Sequence, residues 1–127
     1  MYAFQLDSPV RVRHTKQSSF GRMMACISNL LKKHTTHYIA IVKIGNIVLA
    51  DTHNDFSGEL IPEIEYVAEP LGIDFIATSF NGGYVGYITK DKWYDLHEYE
   101  TFIMNWFGPY NGAYFVEIIQ RLIQLSS

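Results

Sequence analysis

The sequence predicts an α+β fold, a mixed β-sheet covered by helices. Three observations carry this. Two β-branched runs, Tyr38–Lys43 and Ile47–Ala50, are separated by Ile44-Gly45-Asn46, a hairpin signal. Two stretches, 18–33 and the last sixteen or so residues, carry apolar side chains at helical spacing. A further strand-like run, Ile73–Ser79, follows the hairpin after a helix-length segment, so hairpin, helix, strand, strand and helices succeed one another.

Each element has its own signals. Val10-Arg11-Val12-Arg13 alternates like a short edge strand. In the first helix Phe20, Met23, Met24, Ile27, Leu30 and Leu31 form one stripe. Ser18 or Ser19 caps its start, and Lys32 and Lys33 suit the negative end of its dipole. Ser57-Gly58-Glu59 with Pro62 opens a second helix whose apolar side is Leu60, Ile64 and Val67; Pro70 and Gly72 end it. Ile73–Ser79 reads as a buried strand broken by Asn81-Gly82-Gly83. Tyr84–Ile88 reads as another strand, with Thr89 capping a short helix. Asn111 is the expected cap of the last helix, whose core face is Tyr114, Phe115, Ile118, Ile119 and Leu122.

With 127 residues, 48% apolar and 18% charged, the chain can bury one core, and no repeat or linker divides residues 1–127. No uninterrupted apolar run exceeds five residues, far short of the roughly 20 that cross a bilayer. No signal-peptide pattern is visible. Cys26 is the single cysteine, which excludes an internal disulfide framework and a Cys-built zinc knuckle. The net charge of −3 argues against nucleic acid as a partner. That charge is uneven: seven bases and no acid lie between Asp7 and Asp51, and twelve acids against three bases from Asp51 onward. The pattern reads either as a polyanion-binding face or as two halves of one domain attracting each other. The bases lack the interleaved aromatics of single-strand binders, which favours the second reading.

Two clusters could carry chemistry. Asp51, His53 and Asp55 alternate where a strand should run into a loop. They supply ligand types for zinc, or they form a polar turn whose carboxylates bond backbone amides. The second cluster is aromatic and runs from Tyr84 and Tyr87 through Trp93, Tyr94, Tyr99, Phe102, Trp106 and Phe107 to Tyr110. Its phenols could donate a proton, bind an oxyanion or ligate a metal. Its larger rings could line a cleft, with Tyr84 and Trp93 the expected substrate contacts. The alternative is an ordinary aromatic core. There is no P-loop and no Gly-x-Ser-x-Gly turn, and Cys26 falls within the amphipathic first helix as an inert thiol.

Taken in order, three segments resemble the neutral (non-lysosomal) ceramidases and their bacterial relatives. They are Ile44–Ala50 with His53-Asn54-Asp55-Phe56, then Phe75–Thr89 with its Tyr84-Val85-Gly86-Tyr87, and then Tyr94, Tyr99-Glu100 and Phe107-Gly108-Pro109. The likeness runs from about Tyr38 to the C-terminus. In that family zinc is held by two histidines, the glutamate of a Pro-Gly-Glu turn and the second tyrosine of a Tyr-x-Gly-Tyr motif. The last two positions fall on Asp55 and Tyr87 here. The tyrosine of the family's Tyr-Glu pair, beside the scissile amide, falls on Tyr99.

The resemblance therefore implies a zinc-dependent amidase hydrolysing N-acyl (sphingo)lipid amides, with Tyr99 as the oxyanion-binding or proton-donating group. Asp55 is one methylene shorter than the family's glutamate. His53-Asn54 stands where the family has Pro-Gly, which makes His53 a substitute ligand. The family's two zinc histidines and its active-site serine lie upstream of the matching segment and have no counterpart here. This implies the C-terminal part of a larger catalytic domain, completed by the rest of a longer polypeptide or by a homo-oligomer. Relatives are often extracellular or lumenal. The competing reading is a non-enzymatic α/β interaction domain whose aromatic face binds a partner or another copy of itself. For the fold itself, Met24→Ala in the first helix is expected to cost about 2–5 kcal/mol in denaturant melts; a negligible change would remove that helix from the core.

Overall fold

A computed structural model describes residues 2–6, 37–84, 86–96, 98–105 and 110–127. The Val10–Arg13 strand, the helix over 18–33 with its methionine stripe and Cys26, Trp106 and Phe107-Gly108-Pro109 lie outside the described residues.

Four strands form the main sheet: β1 (Tyr2–Leu6), β2 (His37–Ile44), β3 (Ile47–Asp51) and β5 (Asp74–Thr78), in the order β1-β2-β3-β5. β1, β2 and β3 pair antiparallel, whereas β3 and β5 pair parallel, with Val48 opposite Phe75 and Ala50 opposite Ala77. The sheet is mixed, as the order of elements predicts. The β2–β3 hairpin closes on Gly45-Asn46. Gly45 has φ +63 at the first loop position, a conformation that the strand twist demands and a side chain resists. A two-residue β4 (Asp55–Phe56) pairs parallel with β6 (Tyr87–Ile88) as a separate small ladder.

One face of the main sheet is dry. Ile39, Ile41, Val48 and Ala50 point from it against helices α1 (Ile61–Ala68) and α3 (Gly112–Ser126). A 3₁₀ turn over Gly58–Leu60, with Ser57 as N-cap, leads into α1. The side chains that α1 buries are Ile64 and Ala68, with Val67 only half-buried. The third helix buries Phe115, Val116, Ile118, Ile119, Leu122 and Ile123, and leaves Tyr114 exposed. Its N-cap residue is Asn111 as expected, and the Asn111 carbonyl accepts the first helical bond from Phe115 N at 3.1 Å, but the side chain makes no capping bond. At the other end Lys43 Nζ donates to the carbonyl of Ser126 at 3.1 Å, a cation at the negative end of the helix dipole.

The opposite face of the sheet carries Tyr38, Val42, Ile44, Ile47 and Ile76, all exposed. This corrects the expectation that Ile73–Ser79 forms a buried strand. Among the described residues β5 is an edge of the sheet, helices cover one side alone, and only Phe75 and Ala77 of β5 reach the core. The expected Tyr84–Ile88 strand shrinks to Tyr87–Ile88. Thr89 precedes the N-cap Lys90 of a 3₁₀ turn over Asp91–Asp95 and is buried. A short helix α2 (Tyr99–Phe102) follows. Among the described residues no helix is long and apolar enough to cross a membrane.

Core and loop meet at Gly112. A Cβ built there would collide with the carbonyl oxygen of Thr89, and it would lie 3.1 Å from the Thr89 carbonyl carbon and 3.3 Å from Asp91 Oδ1. The third helix thus begins in backbone contact with the segment that leaves β6. Gly112→Ala is expected to lower stability by about 1–3 kcal/mol through overpacking against rigid backbone. Denaturant melts check it; an unchanged midpoint would mean that the contact yields freely.

Candidate active site

The candidate site lies where the parallel strands β3 and β5 end, the usual position of a ligand crevice beside a parallel pair. Two threonines carry the pairing past the last residues of the strands. Thr52 Oγ1 donates to the Thr78 carbonyl at 2.7 Å, and Thr78 Oγ1 donates to the Ala50 carbonyl at 2.9 Å. Asn81 N donates to Thr52 O and Phe80 N to Asn54 O, both at 3.2 Å, while Ser79 Oγ accepts from Phe56 N at 3.1 Å. Phe80 holds φ +62, a left-handed backbone that costs a bulky residue on the order of 1 kcal/mol or more. Its ring stacks on Tyr84 with centroids 5.5 Å apart and planes 12° from parallel.

This framework delivers Asp55 to β4, where it is the register partner of Tyr87 on β6. In-register neighbours on adjacent strands project to the same side of a ladder, so carboxylate and phenol are adjacent. Asp55 N donates to Gly86 O at 3.0 Å, Ser57 N to Ile88 O at 2.9 Å, and Tyr87 N to Met104 O at 2.9 Å. These bonds tie both strands to each other and to the turn after α2.

The electrostatics show which groups share this space. Burial, then the nearby Glu100, push the Asp55 carboxyl above its ordinary range. The Tyr84 phenol is pushed up by burial and then by Asp55, Tyr99 and Tyr87. Tyr87 is pushed up by burial; its hydrogen bond with Ser57 works the other way, and Asp55, Glu100 and Glu59 raise it further. Asp55, Tyr84, Tyr87, Tyr99 and Glu100 therefore act on one another although they span 46 positions of sequence. Tyr99 itself is 60% exposed on α2.

A cleft of about 350 Å³ opens beside Tyr87, with Ser57, Thr89, Leu96 and Thr101 in its walls. Glu59, Glu98 and Glu100 give it three carboxylates, and Trp93 gives it an indole. Trp93 Nε1 donates to Glu59 Oε2 at 2.6 Å, which fixes the ring, and Lys92 Nζ stands 4.3 Å from the ring centroid. Trp93 thus lines the cleft, and Tyr84 lies close enough to Tyr87 and Tyr99 to affect its acidity. By contrast Tyr94 is a core residue. Burial pushes its phenol up to about 12, partly offset by the nearby backbone at Thr89 and Asn111.

The alternation of Asp51, His53 and Asp55 survives in burial, since Thr52, Asn54 and Phe56, which alternate with them, are all buried. The strand does not continue through them, however. Asp51 ends the main sheet, Asp55 begins the small ladder, and the His53 ring lies over the backbone of Gly82 and Gly83. Among the described residues no three of His, Cys, Asp and Glu converge as metal ligands. Asp55 and Tyr87 supply two adjacent oxygen donors, whereas zinc takes three or four protein ligands. The described residues do not by themselves fit zinc.

Sequence reasoning passed over Glu59, Glu98 and Glu100 as cleft residues. Glu100 was visible beside Tyr99, but no spacing rule joins it to Asp55, 45 positions earlier. Only the fold does.

No family model matches the sequence, and no curated protein matches it. Among solved structures the chain is similar to a crystal structure of neutral ceramidase from Pseudomonas aeruginosa. The two are 20% identical with a TM-score of 0.60, over 70% of this chain and 15% of that one. The likeness is one of fold, and the chain spans a small part of that protein's length.

The weakened acidity of the Asp55 carboxyl has a consequence for stability. The folded chain keeps this proton to higher pH than the unfolded chain, whose ordinary value is 3.8. The folded state therefore binds more protons between 3.8 and the raised value, and stability falls as pH rises through that window. Asp55→Asn is expected to be more stable than the parent above the window and to lose that advantage below it. Urea melts at about pH 3 and about pH 7 test this; a gap between parent and variant that ignores pH contradicts it.

Proposed function

We propose that this chain is a ceramidase-like segment of a zinc-dependent amide hydrolase acting on N-acyl (sphingo)lipid amides. It forms one wall of a site completed by the rest of a longer polypeptide or by a second copy. The observation that carries the reading is the in-register pair of Asp55 and Tyr87 beside a carboxylate- and phenol-lined cleft. The fold shared with a neutral ceramidase supports it.

In this reading Asp55 and Tyr87 would contribute two donors to a shared zinc ion, whose remaining donors come from outside the described residues. Bound there, zinc would supply Lewis acidity. The chemistry assigned to this chain is that of its own side chains. Tyr84 holds its proton firmly at neutral pH, because burial and the nearby Asp55 disfavour the phenolate. Phenols that keep their protons are hydrogen-bond donors, suited to the oxygen of an amide carbonyl as it gains negative charge. Tyr99 is the phenol best placed to meet substrate, being exposed at the edge of the group. Trp93 and Leu96 offer apolar surface to the substrate's hydrocarbon.

Tyr99→Phe is expected to lower amide hydrolysis about 10²–10³-fold in the completed assembly, with an unchanged melting temperature. In the same assembly Asp55→Ala with Tyr87→Phe is expected to abolish zinc uptake measured by equilibrium dialysis. Full activity of the Tyr99 variant with an altered melt would make Tyr99 a packing residue. Unchanged zinc uptake by the double variant would end the metal assignment.

A further inference from the structure

We infer that the outer face of the main sheet is the docking surface for residues 18–33 of the same chain. They lie along it as an amphipathic helix, apolar stripe inward, with Lys32 and Lys33 at the end of the sheet that carries Asp51.

The outer face is built like an interior. In register across β2, β3 and β5 it presents Val42, Leu49 and Ile76 as one row, and Ile44 with Ile47 in the next. Of these only Leu49 is half-buried; the other four are exposed, as is Tyr38. An antiparallel sheet that meets water on one face alternates apolar with polar residues. β2 does not, since Tyr38-Ile39-Ala40-Ile41-Val42 is apolar without a break. The inner face is already filled by α1 and α3, so a further covering element has only the outer one to take. A contiguous apolar face of this kind marks a contact surface.

The chain carries an occupant tethered at the right place. Leu6 and His37 are register partners on neighbouring antiparallel strands, which a hairpin joins with about 2–5 residues. Here residues 7–36 stand between them, and 18–33 hold Phe20, Met23, Met24, Ile27, Leu30 and Leu31 at helical spacing. As a helix, 18–33 is about 24 Å long, close to the roughly 27 Å of the eight-residue β2. Residues 7–17 reach up to about 40 Å, enough to run the length of β2 first. Residues 34–36 bridge at most about 14 Å back to His37. The short return fixes the direction. Lys32 and Lys33 come near His37, and so near Asp51, whose register partner is Ala40.

Charge agrees independently. Among the described residues the outer face holds the carboxylates Asp51 and Asp74 and no lysine or arginine; Lys43 of β2 turns the other way, to the Ser126 carbonyl. Asp51 Oδ1 is buried and has no hydrogen-bond partner among the described residues. Residues 8–36 carry six lysines and arginines and no acid. A second copy docked on this face would bring the same carboxylates to it, whereas this segment brings the opposite charge. With the face taken, whatever completes the candidate site meets it at the ends of β3 and β5 and not across the sheet.

The test uses the whole chain. Zero-length carbodiimide coupling, read by mass spectrometry, is expected to join Lys32 or Lys33 to Asp51 within one molecule. Lysines that couple to Glu63 or Glu117 on the helical side, to a second molecule, or not to Asp51 at all overturn the inference. A double-mutant cycle in urea tests the apolar contact. Ile27→Ala is combined in turn with Val42→Ala and Leu49→Ala on the outer face, and with Tyr114→Ala on α3. At least one outer-face pair is expected to depart from additivity by about fivefold or more in the unfolding equilibrium constant, and the Tyr114 pair to be additive. Additivity with both outer-face variants, or coupling to Tyr114 instead, overturns the inference. Sedimentation is expected to give a monomer. A dimer that Val42→Asp dissociates would make a second copy the occupant and overturn it as well.

Discussion

The threonine clasp between β3 and β5 is the constraint on which the candidate site depends. Parallel strands lose their ladder bonds where they end, and the chains normally diverge there. Here the hydroxyls of Thr52 and Thr78 add side chain-to-backbone bonds, to the carbonyls of Thr78 and Ala50, that hold the strand ends together. Thr52 is wholly buried, so its hydroxyl has no water to turn to, and leaving one such group unsatisfied costs about 1–3 kcal/mol. The clasp hands its order onward: Asn81 and Phe80 bond the Thr52 and Asn54 carbonyls, and Ser79 receives the amide of Phe56. Asp55 lies between the last two of these anchors. Both neighbours of Asp55, Asn54 and Phe56, are thereby tied to the segment that follows β5.

A second constraint joins this loop region to the core. The third helix fills the space above the sheet with Phe115, Ile119 and Ile123, and its first residue touches the backbone of Thr89. Thr89 is also a wall of the cleft. The helix that, among the described residues, buries the most side chains therefore sets one side of the candidate site directly. Gln120 extends the same helix's hold by donating to the Glu63 carbonyl on α1 at 2.7 Å. The helices, the main sheet and the cleft form one mechanical unit through backbone contacts, while the carboxylates that face the cleft are free to differ.

The fold was legible where a residue's neighbours in sequence decide its conformation. The hairpin at Gly45-Asn46, the start of α1 after Ser57 and the long final helix all announce themselves through turn chemistry and periodicity. The misjudged strand at Asp74–Thr78 had the right β-branched, apolar composition; its place at the sheet's edge depends on which strands pair, and no local pattern records that. Tyr114 fits the apolar stripe of its helix as well as Phe115 does, yet it is exposed, because the stripe is wider than the surface it covers. The site shows the same division. Family resemblance pointed to Asp55, Tyr87 and Tyr99 at separate places in the chain, and the β4–β6 register brings the first two side by side. The carboxylates of the cleft were overlooked because Glu59, Glu98 and Glu100 read as ordinary surface acids. What distinguishes them is the company they keep across the fold.

The small size of the β4–β6 ladder gives this region its own dynamics. Two residues per strand lie far below the five or six of an ordinary strand, so the ladder holds only by virtue of what flanks it. It is a low-stability unit attached to a high-stability one, and such units open locally without unfolding the rest. Hydrogen exchange at Asp55 and Ser57 amides then reports a gate rather than the global equilibrium, with protection far below that of Val48 or Ala50 in the main sheet. Opening on this scale would widen the crevice at Tyr87 while the main sheet behind it stays intact.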